Sequence, residues 1–159
     1  MIENRELEEL LEELSSPDMG MLAQYGNLLV GYRDFFGLYK EWSGGKSNIK
    51  GVILYIQPTN KSFGNQTSTI LRLYSKREDV LVIVLSYENL NVRSLLDKYN
   101  IKPEDLPLVI IGEVDEVITL DGRIRFKIKE SKYLPRQSLE ELVKYNLKDS
   151  SEYLNRYSI

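Results

Sequence analysis

The chain opens with leucines spaced for one face of a helix. They recur three and four positions apart, which predicts a helix over residues 2–14 that ends at Ser15-Ser-Pro-Asp18. These leucines are Leu7, Leu10, Leu11 and Leu14. The helix needs an apolar surface to cover this face.

The stretch from Met19 to Trp42 permits two interpretations. A short strand at 28–30 can lead into a helix with an aromatic face, or the whole stretch can be one helix. Glycines at positions 20, 26, 31 and 37 weigh against the single helix, because glycine costs about 1 kcal/mol in a helix interior. The aromatic residues are Tyr32, Phe35, Phe36, Tyr39 and Trp42. We expect most of them in the core, while an exposed part would mark a partner surface.

From residue 52 the pattern indicates strand, helix, strand, helix, strand, strand and helix. Three continuous apolar runs suit strands buried on both faces: Val52–Ile56, Val80–Leu85 and Leu108–Ile111. Helical spacing follows the first two runs, at 63–74 and at 92–99. This order predicts an α/β domain with a mixed sheet flanked by helices.

Local signals mark several boundaries of these elements. Asn91 is the predicted N-cap of the helix at 92–99. Asp121-Gly122 predicts a hairpin turn, and Ser138-Leu-Glu-Glu141 predicts a capping box at the start of a last helix. Residues 148–159 form a polar tail.

The amino-acid composition leaves out residues that several kinds of catalysis and metal binding require. The chain contains neither Cys nor His, which excludes a thiolate nucleophile and removes the commonest general base and zinc ligand. The net charge of −3 argues against a globally basic nucleic-acid binder. No apolar run approaches ~18 residues and the first residues are acidic, which predicts neither a transmembrane helix nor a secretory signal. We therefore expect a soluble cytoplasmic protein without metal or cofactor.

The order of elements from Val52 resembles the thioredoxin fold. A strand runs into a loop that opens a helix, Asp105-Leu-Pro-Leu-Val109 is similar to the family's cis-proline loop, and Leu134–Leu142 is similar to the approach to its final helix. The resemblance implies a thioredoxin-like domain at 19–147, with residues 1–18 as an acidic helical extension and 148–159 as a tail.

The same resemblance implies that the redox chemistry is lost. The family's cysteine motif falls on Lys61-Ser62-Phe63-Gly64, and Tyr55 takes the place of its buried acid. Pro107 would be cis, and the backbone of Leu106 would be unpaired and open to an extended peptide. We expect a redox-inactive protein- or peptide-binding module without catalysis. Its predicted site comprises Pro58, Asn60, Lys61, Ser62, Phe63, Gly64, Leu106 and Pro107.

Two other functions stay open at this point. The hydroxyl- and amide-rich loop at 57–69 can offer a helix N-terminus to an anion, although Asn60 or Ser62 as a plain helix cap is the simpler explanation. A non-thiol enzyme of the glutathione-transferase type would use Ser62.

A basic segment raises the possibility of an acidic partner. Arg123, Arg125, Lys127 and Lys129 alternate with apolar residues, so on a strand all four share one face, which Lys132 and Arg136 extend and only Glu130 opposes. Nucleic acid could bind there. We favour protection of an edge strand by charge, because the thioredoxin layout puts this strand at the edge.

The first helix carries acidic residues opposite its leucines: Glu3, Glu6, Glu8, Glu9, Glu12 and Glu13, against Arg5 alone. We expect it to pack on its own domain, with a homodimer through this helix as the alternative. Helix and basic strand are oppositely charged and could meet.

Overall fold

The computed structural model describes residues 4–16, 18–43, 48–61, 65–120 and 123–134. Within these ranges lie four α-helices, six strands and a single turn of 3-10 helix at Pro103–Asp105. The elements are α1 (Asn4–Leu14), β1 (Gly20–Tyr25), β2 (Leu28–Gly31), α2 (Tyr32–Ser43), β3 (Gly51–Gln57), α3 (Asn65–Tyr74), β4 (Val80–Ser86), α4 (Leu90–Lys98), β5 (Leu108–Leu120) and β6 (Arg123–Leu134).

Some sequence predictions fall outside the described residues. They are Ser62–Gly64 of the predicted site, the turn residues Asp121-Gly122, the last helix from Ser138 and the tail at 148–159. Glu3, Arg136 and the side chains of Trp42 and Arg123 also lie outside.

The strands form one mixed sheet in the order β2-β1-β4-β3-β5-β6. β3 and β4 are parallel, with Val52 opposite Leu81 and Gln57 opposite Ser86. The other neighbouring pairs are antiparallel. The predicted α/β class with a mixed sheet is confirmed, and the Val52 and Val80 runs are its central neighbours.

Helices cover both faces of the sheet, which explains why β3 and β4 are buried at every position. Alternate residues of β3 enter two separate cores. Val52, Leu54 and Ile56 pack with α1, α2 and α4. Ile53 and Tyr55 pack with α3 on the opposite face. Continuous apolar runs are the sequence pattern of such doubly covered strands.

The leucine face of α1 is covered within the chain. Its four leucines are at most 3% exposed and share one core with Ile124, Phe126 and Ile128 of β6. The Ile128 amide also donates to Glu12 Oε1 at 3.3 Å. The expected packing of this helix on its own domain is confirmed, so its leucine face is not available to a second copy.

The structure resolves the ambiguity between Met19 and Trp42. A strand, β1, precedes the predicted short strand, and the two pair as a hairpin with Gly26 at φ +59° in the turn. The interpretation as one long helix is wrong. Among the described side chains of α2, Tyr32, Phe35 and Tyr39 are buried, as expected, and the Phe35 and Tyr39 rings stack at a centroid distance of 5.5 Å.

The N-cap of α4 differs from the predicted one. Asn89 has extended backbone angles, and its side chain accepts from the amides of Asn91 at 2.9 Å and Val92 at 3.2 Å. Asn91 already lies inside the helix, so its assignment as N-cap is wrong. The helix therefore begins two residues earlier than predicted, and the Asn89 side chain satisfies two of its free amide groups.

Candidate functional site

Three chain segments meet at one end of the sheet, which we call the carboxyl edge: Gln57–Lys61, Ser86–Leu90 and Leu106–Pro107. β3 and β4 are parallel, so their carboxyl ends lie side by side there. Leu108 pairs with Ile56, which places Pro107 beside Gln57. The Leu106–Pro107 peptide bond is cis, as the thioredoxin resemblance implied.

The structure brings the described part of the predicted site together at this edge. Pro58, Asn60 and Lys61 are exposed in the loop after β3, and Pro107 is half-buried next to it. Leu106 is only 3% exposed, so its side chain belongs to the core rather than to the surface.

Gln57 is a residue that the sequence analysis missed. It is 5% exposed at the end of β3, and its side chain holds the following loop. Its Nε2 donates to the carbonyl oxygens of Thr59 at 2.8 Å and Lys61 at 3.3 Å. The same nitrogen lies 3.9 Å from the sulfur of Met21. Met21 lies on β1 at the point where the register between β1 and β4 shifts. The signal in the sequence was a single amide side chain, that of Gln57, directly after the apolar run Val52–Ile56.

A buried polar network continues below Gln57. The Thr67 hydroxyl, 2% exposed, donates to Gln57 Oε1 at 3.3 Å and ties the first turn of α3 to β3. Burial raises the pKa of Tyr55, and a side-chain hydrogen bond with Thr67 partly offsets the rise. Tyr55 is therefore a neutral phenol near neutral pH.

The backbone beside the cis-proline is less open than expected. The Leu106 amide donates to the Pro103 carbonyl at 3.2 Å, because the 3-10 turn folds back on itself. Asp105 reinforces this turn by accepting from the Lys102 amide at 2.9 Å. The expectation of an unpaired Leu106 backbone is wrong for the N–H. Among the described residues none donates to the Leu106 carbonyl.

The β4 side of the carboxyl edge presents an aromatic ring and an apolar side chain. Tyr87 donates from its hydroxyl to Asp97 Oδ1 at 3.1 Å, and the Arg93 guanidinium lies 5.1 Å from its ring centroid. Desolvation and the nearby Asp97 carboxylate raise the pKa of Tyr87. Leu90, at the start of α4, is 71% exposed. Asn89 fixes this corner by donating to the Asp18 carbonyl at 3.4 Å.

The basic segment lies on β6, at the edge of the described sheet. Arg125, Lys127 and Lys129 are exposed while the intervening residues are buried, as expected. Yet exposed Glu116 on β5 lies directly opposite Lys127. The prediction that only Glu130 opposes the basic residues is therefore wrong, and the surface carries mixed charge.

No helix in the described ranges combines the length and the apolar character that crossing a membrane requires. In the same part of the chain, acidic side chains nowhere gather in threes with the spacing of metal ligands. Comparisons with protein-family models, curated proteins and solved structures gave no match.

Proposed function

We propose that this chain is a redox-inactive, thioredoxin-like module that binds a protein or peptide at the carboxyl edge. The observation that carries the proposal is the arrangement around the proline. β3 lies between β4, to which it is parallel, and β5, to which it is antiparallel, and β6 pairs antiparallel with β5. Pro107 leads into β5 beside the end of β3.

The placement of helices supports the thioredoxin-like arrangement further. α3 follows β3 and packs on one face of the sheet, while α4 follows β4 and packs on the other. The expected chain order of strand, helix, strand, helix, strand, strand matches this part of the chain. The added β1 and β2 extend the sheet beyond β4, and α2 packs in the core on one of its faces.

The missing cysteines favour binding over redox chemistry. No residue of the chain can form a thiolate, and Tyr55 stands where the resemblance implies an acid. A fold can be kept while its chemistry is lost. What the edge retains is a set of exposed groups that suit an extended segment.

These groups define how a peptide would be held. The Leu106 N–H is already engaged with Pro103, and the whole residue is only 3% exposed. Main-chain pairing at Leu106 is therefore limited, and side chains must supply much of the affinity. Exposed Lys61 offers a charge, and exposed Leu90 offers apolar contact.

Selection of random peptides displayed on phage tests the proposal. We expect a wild-type selection to enrich peptides whose affinity drops at least tenfold with Lys61→Glu. Lys76→Glu is the matched control, because Lys76 is equally an exposed lysine but follows α3 at the opposite end of the sheet. Equal loss in both variants would indicate non-specific attraction, and an enrichment insensitive to Lys61 would count against this edge.

The alternative of an anionic partner at β6 is weaker in this fold. Glu116 and Asp115 on β5 are exposed beside the basic residues and reduce the positive potential that nucleic acid requires. β6 lies at the edge of the described sheet, which favours the other explanation, that its charges prevent pairing with a strand of another molecule. A gel shift that is lost with Arg125→Glu and at raised salt would reverse this preference.

A further inference from the structure

We propose that Gln57 is a positioning residue, whose side-chain amide fixes the loop Pro58–Lys61 in the shape that meets the ligand. The inference rests on the proposed function, since it concerns the same edge. Gln57 itself is buried and is not offered as a contact of the ligand.

The hydrogen bonds of Gln57 fix the orientation of its amide. Two backbone carbonyl oxygens, of Thr59 and Lys61, lie within 3.3 Å of Nε2 and can only accept. The Thr67 hydroxyl lies 3.3 Å from Oε1 and donates to it. A reversed amide would set its oxygen against two carbonyl oxygens, so one orientation is strongly favoured.

Among the described residues, Gln57 is the one side chain that donates hydrogen bonds to the carbonyl groups of this loop. Pro58, Thr59, Asn60 and Lys61 are all exposed, so apolar packing does not hold them. Gln57 reaches inward to Thr67 on α3 and forward to two loop carbonyls, and thereby couples the loop to the sheet and helix. A loop ordered before binding loses less conformational entropy when a ligand arrives.

The replacement Gln57→Glu tests this role through pH. At neutral pH a carboxylate at this position cannot donate and faces two carbonyl oxygens. Burial raises the pKa of such a carboxyl group, and its protonated form regains one donor. The loop of this variant should therefore be mobile at pH 8 and ordered again near pH 5, whereas the wild-type loop should be ordered at both.

Backbone order parameters from ¹⁵N relaxation at Thr59, Asn60 and Lys61 provide the readout. We expect values of about 0.85 in the wild type and below about 0.6 in Gln57→Glu at pH 8. The second variant, Gln57→Met, has similar size without a donor, and its loop should be mobile at both pH values. If Gln57→Glu does not fold, the order parameters of Gln57→Met test the inference. Unchanged order parameters in the folded variants would overturn the inference.

The relaxation measurement separates this inference from the proposed function, because it needs no ligand. If a selected peptide is available, its affinity should fall about tenfold in Gln57→Met and recover at low pH in Gln57→Glu. Failure to select any peptide would count against the proposed function alone, while a rigid loop in both variants would count against the role of Gln57 alone.

Discussion

A Cβ atom on Gly112 would lie 2.6 Å from Cδ1 of Leu11, so α1 rests on β5 where there is room only for glycine. Ile128 closes the site from β6, with its Cδ1 at 3.3 Å from the same position. Leu11 is fully buried, so any shift of its side chain must be taken up within the core. The leucine face of α1 is thus part of the core on this side of the sheet.

Replacing Gly112 should measure how tightly this contact is packed. We expect Gly112→Ala to lower the free energy of unfolding by about 1–3 kcal/mol, because the added methyl group overpacks a filled core. Gly37→Ala is the matched control, since Gly37 is exposed on α2 and nothing lies within 4 Å of its Cβ position, and it should stabilise the protein by about 0.5–1 kcal/mol. Urea unfolding of both variants gives the answer, and a neutral Gly112→Ala would contradict the contact.

Truncating Leu11 tests the same interface from the helix side. Leu11→Ala should cost about 2–5 kcal/mol, because it removes buried methyl groups and leaves a cavity. Leu90→Ala makes the same chemical change at a side chain that is 71% exposed, and should change stability by no more than about 0.5 kcal/mol. Thermal or urea unfolding measures both. Similar small losses in the two variants would mean that α1 does not pack as described.

The position of the α4 cap gives a direct test of the local structure. Asn89→Ala should lower stability by about 0.5–2 kcal/mol, because two helix amides lose their acceptor. Asn91→Ala should be neutral or slightly stabilising, because alanine is the better residue inside a helix. The opposite ranking in chemical unfolding would restore the N-cap assignment made from sequence.

The Arg77–Asp79 pair predicts a dependence of stability on acid. Hydrogen bonds of 2.8 and 3.0 Å from the Arg77 guanidinium hold the pKa of Asp79 below its ordinary value of 3.8. A carboxyl group with a lowered folded-state pKa contributes stability above its unfolded pKa and loses it as the pH falls through the folded value. The loss from Asp79→Asn, up to about 1 kcal/mol for a partly exposed pair, should therefore shrink below about pH 4.

Unfolding curves at a series of pH values measure this effect. Asp18→Asn is the control, because it makes the same carboxylate-to-amide change at an exposed residue in the turn after α1. A loss in Asp79→Asn that stays constant from pH 7 to pH 2 would show that the ion pair does not control the titration of Asp79.

Sequence predicted the elements whose burial pattern is unambiguous. The run Val80–Leu85 is apolar throughout, as expected for a strand that is covered on both faces. The leucines of α1 lie on the one buried face of that helix. β1 was missed, since Gly20–Tyr25 shows neither alternation nor a continuous apolar run, and its strand form depends on pairing with β4. β5 extends to Leu120 rather than Ile111, because pairing with β6 sustains it past its acidic residues.

The candidate site was predictable only in part. The predicted site already grouped the loop after β3 with Pro107, and the pairing of β5 with β3 places them side by side. The contacts of Gln57 depend on where Thr67 and the loop carbonyls lie in space, which no sequence pattern encodes. The acidic partner of Lys127 was missed for a similar reason, because cross-strand register decides which charges face each other.

The central claim is that a ligand binds at the carboxyl edge. The most direct test is to titrate ¹⁵N-labelled protein with a phage-selected peptide and to map the amide chemical-shift changes. The account predicts the largest changes at Thr59–Lys61, Tyr87–Leu90 and Leu106. Changes centred on Arg125–Lys129 of β6, with the carboxyl edge unaffected, would contradict it.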